Sequence, residues 1–237
     1  MAYANDLPDQ VQQEGGRVSS PRVFYKDVFS RISPEKRQRV LQAAAAEFAE
    51  KGLNLANINV IAERAGISVG SLYKYFESKT HLYLEVVNRG LSLLEEALDP
   101  IVNSSLSLEE KVDSLVAAVF DGVRAYPVMN RLYHRFTAEG DSELAEKLSS
   151  SLESVTANAY TALMRQAKED GVLSHDCDEA ILAFGMDNIL LCIQFSLSSE
   201  YWKDRMRIYL GADILERESD LKKQMSRFIK GALGLRL

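Results

Sequence analysis

The chain has 237 residues, of which 46% are hydrophobic and 26% charged, and its formal net charge is −6 at pH 7. This composition excludes a disordered or fibrous chain and suffices for one small domain and one of ordinary size, each with a core. The two cysteines, Cys177 and Cys192, provide no disulfide framework and are consistent with a reducing compartment.

Apolar segments are short. The richest uninterrupted run, residues 189–193, is flanked by Asp187, Asn188 and Gln194 and is far below the roughly 20 residues that cross a bilayer. The N-terminus has no basic region followed by an apolar core, so no secretory signal is predicted. We therefore expect a cytoplasmic protein without a membrane partner.

The N-terminal part begins with residues 1–21, whose glycines, prolines and serines predict a flexible tail. Phe24, Val28 and Ile32 follow four residues apart and predict a short helical lead-in. The first full helix is expected to open at Ser33-Pro34 and to end at Gly52.

The most informative stretch is 58–79, which predicts two short helices joined by a tight turn. Apolar residues recur at helical spacing up to Ala65, and Gly66 suits the left-handed end of the first helix. Ser68 is expected to cap the second helix by accepting the amide of Ser71. Leu72 and Phe76 then face inward, which leaves an outer face that can enter a DNA major groove: Val69, Gly70, Ser71, Tyr73 and Lys74.

Charge is distributed unevenly along the chain. Residues 22–89 carry 11 Lys and Arg against 7 Asp and Glu, whereas residues 90–237 carry 16 against 24. Only the N-terminal part is therefore suited to bind a polyanion, and the acidic remainder should be repelled by DNA.

The segment IAERAGISVGSLYKYFESKTHL at 61–82 closely resembles the DNA-binding segment of the TetR/AcrR family of bacterial transcriptional regulators. The resemblance implies an all-α homodimer with an N-terminal three-helix helix-turn-helix domain, placed here at 22–80. It implies a C-terminal helical domain at 81–237 that binds a small-molecule effector and dimerises. A repressor that binds a palindromic operator and is released by its effector is the expected function.

The family pattern assigns roles to individual residues. It places Tyr73, Tyr75 and Lys79 at phosphate contacts, and Asn57 or Asn59 at a backbone contact. The positions nearest the bases are Ser68, Val69, Gly70 and Ser71, where Val69 departs from the usual polar or basic residue and is expected to touch a thymine methyl. The alternatives are aromatic packing for the two tyrosines and a solvated charge for Lys79.

Beyond residue 79 every segment has helical periodicity, and none alternates as a strand does. Helices are expected over 79–98, 108–126, 128–138, 142–170, 178–199 and 216–233, with a short helix or cover at 201–208. Asp99-Pro100 is expected to end the first of them.

Two faces of the helix at 178–199 are apolar, so both must be covered. One stripe, together with the final helix, is predicted to form the dimer interface, with an ordinary monomer core as the alternative: Leu182, Met186, Ile189, Ile193, Leu197, Leu221, Met225 and Phe228.

Effector contacts are predicted from residue type, because ligand cavities are mostly apolar and methionine adapts to varied shapes. For each residue, plain core packing is the alternative. The predicted set is Phe120, Tyr126, Met129, Tyr133, Phe136, Tyr160, Met164, Phe184, Asn188 and Phe195, and Asp187, His134 and Arg131 are further candidates to orient a ligand.

A few sequence features bear on other functions. His175 and Cys177, with two aspartates in the loop 174–178, suggest a metal or redox sensor, but a helix cap explains Asp176 or Asp178 more simply. No phosphate-binding loop, nucleophile elbow or metal-ligating helix pair is present, so no catalytic residue, metal or cofactor is expected. An effector-independent DNA-binding protein and a small-molecule carrier with a vestigial DNA module remain open.

Overall fold

A computed structural model of the chain describes residues 23–138 and 143–235, with the side chains of all of these except 138 and 143–152. The predicted tail at 1–21 lies outside the described residues. Within the described ranges the chain is helical and contains no strand. The helices are α1 Asp27–Ser30, α2 Pro34–Leu55, α3 Ile58–Ala65, α4 Val69–Tyr75, α5 Lys79–Val102, α6 Leu108–Ala125, α7 Pro127–Ala138, α8 Glu143–Glu169, α9 Glu179–Ser198, α10 Glu200–Leu210 and α11 Glu218–Ala232.

The chain divides into two compact units. Among the described residues, one unit holds 23–92, 131–138 and 143–150, and the other holds 93–130 and 151–235. The division falls within α5, α7 and α8 rather than at residue 80, where the domain boundary is predicted. The first turns of α5 belong to the first unit, where the ring of Tyr83 lies 5.1 Å from that of Phe48 on α2.

Helix α2 begins as the sequence predicts. Ser33 Oγ accepts the N–H of Lys36 at 3.3 Å, and Pro34 lies in the first turn, where its missing N–H costs nothing. Its predicted end at Gly52 is a kink instead: this residue has a φ of +71°, and a last turn continues to Leu55.

The lead-in is shorter than predicted. Helix α1 is one turn, and it buries Phe29 while Val28 is exposed. Residues four apart share a helix face only if the helix continues for more than one turn. Helix α1 has four residues, so Phe24 and Ile32 lie outside it. The predicted stripe of Phe24, Val28 and Ile32 is therefore wrong at Val28.

Helix α5 does not stop at Asp99-Pro100. It runs through Pro100 to Val102, and Asn103 N–H still donates to the Asp99 carbonyl at 3.1 Å. A proline in the last turn removes only one helical hydrogen bond, and Lys111 Nζ donates to the terminal Val102 carbonyl at 2.9 Å. These contacts explain why the proline does not end the helix.

The second unit is built around an apolar core to which α6, α8, α9 and α11 contribute; Phe120, Met164, Met186 and Ile229 are among its buried side chains. An ion pair of 2.7 Å between Lys230 and Asp113 joins α11 to α6.

The stripe of α9 that was predicted to meet a second subunit is the one that its own chain covers. Met186 and Ile193 are buried in the core of their own unit, and Leu182, Ile189 and Leu197 pack against it. On α11, Leu221 and Met225 also belong to this core, whereas Phe228 is 60% exposed. The periodicity of a helix that is apolar nearly all round cannot tell which stripe its own chain covers.

Helix α9 also corrects the expectation about apolar length. Its 20 residues contain a window of mean hydropathy 1.7, which is long and apolar enough to cross a membrane by length and composition. The window reaches this mean hydropathy although it contains the polar residues Asp187, Asn188 and Gln194. The same properties are required of a helix that protein covers on both sides.

Candidate nucleic-acid interface

The joint between α3 and α4 has the predicted helix-turn-helix geometry. Gly66 ends α3 in the left-handed region, with φ +67° and ψ +39°, and its N–H donates back into the helix. Ser68 Oγ caps α4 by accepting the Ser71 N–H at 3.1 Å. Leu72 and Phe76 are buried, so the opposite side of α4 is presented to solvent.

The outer face of α4 carries the residues predicted to lie nearest the bases. Ser68 and Gly70 are exposed, and Val69 and Ser71 are half-buried. The hydroxyls of Ser68 and Ser71 lie 2.9 Å apart and bond to each other. A Cβ at Gly70 would find its nearest neighbour, Ser68 Oγ, at 3.9 Å, so the fold itself does not require glycine there.

The two tyrosines of α4 differ. Tyr73 is 47% exposed, which is compatible with a phosphate contact and argues against the packing alternative. Tyr75 is 6% exposed, and its ring centroid lies 5.4 Å from that of Phe29. Tyr75 therefore packs the domain, and only a small part of it is available to DNA. Lys74 is exposed on the same helix.

Lys79 is engaged by the protein. Its Nζ donates to the carbonyls of Asn54 at 3.0 Å and Ala56 at 3.2 Å, at the end of α2. Partial burial lowers the pKa of its ammonium. A cation at the positive N-terminus of α5 is thus compensated by backbone carbonyls of another helix.

Asn57 and Asn59 are exposed at the start of α3, where Asn57 Oδ1 accepts the N–H of Asn59 at 2.9 Å. Glu47 fixes this start, because its buried carboxylate accepts the Asn57 N–H at 3.1 Å and pairs with Arg64 at 3.2 Å. Sequence reasoning missed Glu47, since only the fold brings α2 beside α3. Removing this buried carboxylate would leave the Asn57 N–H without its acceptor.

The predicted effector residues are divided between the units. In the second unit Phe120, Tyr160 and Met164 are buried in the core, Met129 and Phe195 are half-buried, and Tyr126 is exposed. Tyr133 and Phe136 belong to the first unit, as do Arg131 and His134, whose imidazole has a pKa lowered by burial.

Phe184 and Asn188 lie on the surface. Phe184 is 71% exposed, and its carbonyl accepts Asn188 Nδ2 at 2.7 Å. These two predicted effector contacts therefore face away from the core of their own unit. They lie on the stripe of α9 that was expected to face inward but is exposed.

Asp187 is the notable polar group of α9. Burial, with a smaller contribution from the nearby Glu153, raises the pKa of its carboxyl to about 6 against the opposing effect of a hydrogen bond from Thr156. Tyr160 on α8 is buried, and its pKa is raised by that burial and by Asp187. A carboxyl, a hydroxyl and a phenol thus meet beside the apolar core.

The loop suggested as a metal or redox site lines an open depression. Of the two aspartates that the sequence offers as a helix cap, Asp178 caps α9 by accepting the N–H groups of Ala180 and Ile181. Lys168 Nζ donates to the Cys177 carbonyl at 2.7 Å and pairs with Glu179 at 3.2 Å. In the part of the chain that the structure describes, no three His, Cys, Asp or Glu side chains group as metal ligands.

Comparison with known proteins gives the same assignment. Residues 40–86 match the family described as bacterial regulatory proteins, tetR family. The transcriptional activator FasR of Mycolicibacterium smegmatis is 24% identical over 173 residues, or 73% of this chain and 74% of FasR. The transcriptional repressor KstR2 of the same species is 36% identical over 88 residues, which span 37% of this chain and 43% of KstR2.

The fold is shared with solved regulators. The FadR regulator of Bacillus subtilis, whose structure holds stearoyl-CoA, covers 81% of this chain and 96% of its own, with a TM-score of 0.66 and 14% identity. The matched family segment contains α3, α4 and the first turns of α5, where the helix-turn-helix geometry lies. Residues 40–86 therefore form a helix-turn-helix DNA-binding segment of the tetR family of bacterial regulatory proteins, and the chain shares the helical fold of solved regulators.

Proposed function

We propose that the chain is a cytoplasmic repressor, not an enzyme, that binds a palindromic operator as a homodimer and is released by an apolar or amphipathic small molecule. The proposed DNA binding is supported by the exposure of the outer face of α4. Capping by Ser68 and the left-handed turn at Gly66 hold this helix in place while Tyr73 and Lys74 are exposed. Exposed phosphate-binding side chains around a small face suit a recognition helix in a major groove.

The dimer is proposed to use the stripe of α9 that its own chain leaves exposed. Ile181, Phe184 and Cys192 are exposed along this helix, and Phe228 is exposed on α11. A two-fold axis beside α9 would bury the same apolar residues on both subunits, which explains why a helix so apolar is covered on one side only within a single chain.

The effector is proposed to bind in the second unit next to Asp187, Tyr160 and Thr156. These groups supply a few polar contacts beside apolar walls, the usual composition of a ligand site. FadR of Bacillus subtilis holds stearoyl-CoA in a related fold, which makes long-chain acyl-CoA a sensible first probe. The low exposure of Phe120 and Met164 favours the effector-independent alternative, because these side chains already fill the core.

Release is proposed to be geometric. The two recognition helices must reach successive major grooves about 34–36 Å apart, so a ligand that favours a different separation weakens operator binding. By thermodynamic linkage, operator and effector must lower each other's affinity by the same factor.

The test uses the purified chain and a duplex enriched from a random-sequence pool. Fluorescence anisotropy measures its affinity and that of a shuffled duplex as salt rises, with and without stearoyl-CoA and a panel of shorter acyl-CoAs and sterols. The proposal predicts discrimination that persists as salt rises, since base contacts depend less on salt than phosphate contacts do. Equal affinity for both duplexes would contradict operator binding. Specific binding that no probe alters would support the effector-independent alternative.

A further inference from the structure

The lead-in before α2 is fastened to the end of the recognition helix. The backbone N–H of Lys26 donates at 2.8 Å to the carbonyl of Tyr75, the last residue of α4. Phe29 is 1% exposed, and its ring lies 4.8 Å from that of Phe76 and 5.4 Å from that of Tyr75. The position of the lead-in is therefore fixed relative to α4.

A third attachment comes from α5. The backbone N–H of Phe24 donates to Glu85 Oε2 at 3.2 Å, and Glu85 is itself buried. A buried carboxyl that accepts a backbone donor defines the path of that backbone, because leaving either group unpaired is costly. Residues 24–29 are thus held at both ends against the DNA-binding unit.

This attachment brings a lysine to the predicted phosphate-binding edge. Lys26 is exposed, and its Nζ donates to the Tyr73 carbonyl at 3.3 Å. The Tyr73 side chain and Lys74 are exposed next to it. Positive charge is reinforced by Lys36, whose Nζ lies 5.9 Å from the centre of the Tyr75 ring.

Lys26 retains capacity for a ligand. An ammonium has three N–H donors, so a bond to the Tyr73 carbonyl leaves two for an anion at the same place. The nearest acidic neighbour along the chain, Asp27, is exposed and lies 4.0 Å from Arg31. The charge of Lys26 is therefore directed to the edge that carries Tyr73.

We propose that Lys26 is a further phosphate-binding residue and that the lead-in forms part of the DNA interface beside the recognition helix. The inference rests on the proposed DNA-binding function. It assigns to residues before the helix-turn-helix motif a sequence-independent contact that adds to the one predicted for Tyr73.

The test compares Lys26→Ala, Lys26→Gln and Lys26→Arg with the wild-type chain on the enriched duplex. Lys223→Ala, an exposed lysine on α11, serves as a matched charge control. The measurement is the slope of log affinity against log salt. Each lost phosphate contact lowers the slope by about 0.9, so a dimer lacking Lys26 is expected to lose about 2, on enriched and shuffled duplexes alike.

The glutamine variant distinguishes two roles. Glutamine can still donate to the Tyr73 carbonyl but has no charge, so the proposal expects it to lose as much slope as alanine, while arginine and the Lys223 control keep the wild-type slope. A glutamine variant with the wild-type slope, or an affinity loss without a slope change, would overturn the proposal. If the wild-type chain itself shows no salt-dependent binding, the proposed function fails instead.

Discussion

Lys79 Nζ donates to the carbonyl of Ala56 at 3.2 Å, which joins the start of α5 to the end of α2. The family pattern assigns this lysine to a DNA phosphate, but the structure gives it a partner within the protein. Any loss of DNA binding on its replacement therefore combines a lost contact with a displaced α2–α3 joint.

Replacing Lys79 by methionine is expected to lower the free energy of unfolding by about 1 kcal/mol, because two helix-end carbonyls lose their donor while water replaces it in part. Urea unfolding of the variant measures the change. Lys74→Met, on an exposed side chain, is the control and should leave stability within about 0.5 kcal/mol. Equal stability of wild type and Lys79→Met would contradict the capping role.

Gly70→Ala separates folding from recognition. The added Cβ has room in the free protein, and alanine is favoured over glycine in a helix by about 1 kcal/mol, so the variant should be as stable as the wild type or more so. If Gly70 is there for close approach to DNA, operator affinity should fall at least about tenfold, or roughly 1.4 kcal/mol. Thermal unfolding and anisotropy together decide, and unchanged affinity would remove Gly70 from the interface.

Stability should depend on pH through Glu85. Burial raises the pKa of its carboxyl to about 7, while the hydrogen bond from Phe24 opposes the shift. Because the folded pKa lies above the unfolded one, the folded state binds the proton more tightly. The free energy of unfolding should then fall as pH rises from about 4.5 to 7, by at most about 3 kcal/mol.

The measurement for Glu85 is urea unfolding between pH 4.5 and 8. Glu85→Gln keeps an oxygen for the Phe24 N–H and removes the charge, so it should flatten this dependence and exceed wild-type stability at pH 8. Asp187, with a pKa raised to about 6, contributes in the same direction in both proteins, so the difference between them isolates Glu85. Parallel profiles would contradict the assignment.

Local chemistry made much of the DNA-binding unit predictable. The caps at Ser33 and Ser68 and the turn at Gly66 depend on residues within three or four positions, and all three were identified from sequence. The contacts of Lys79 and Glu47 join residues far apart in the chain, so no local pattern indicates them.

The prediction of which stripe of α9 is buried was wrong for a different reason. A helix with apolar residues on nearly every side has no periodic signal to show which side its own chain covers. The burial of Met186 and the exposure of Phe184 follow from how α6 and α10 pack against α9, which helical spacing does not reveal.

Phe184→Glu tests the dimer surface. The side chain is 71% exposed in one chain, so a charge there should leave folding intact, but burying it at a two-fold interface without a partner is costly. Sedimentation velocity should show a monomer. Operator affinity should fall because a monomer binds one half-site alone, whereas a dimer binds both half-sites together. Ile208→Glu, on the 83% exposed Ile208 of α10, is the control expected to remain dimeric. A dimeric Phe184→Glu variant would place the interface elsewhere.

Base reading by the outer face of α4 is tested by selecting duplexes from a random pool with the wild-type chain and with Val69→Asn. An asparagine can bond an adenine edge, whereas valine can only touch a thymine methyl. We expect an inverted repeat for the wild type and, for the variant, the same repeat altered at one symmetric pair of positions. Identical sequences from both proteins, or no enrichment by the wild type, would contradict it.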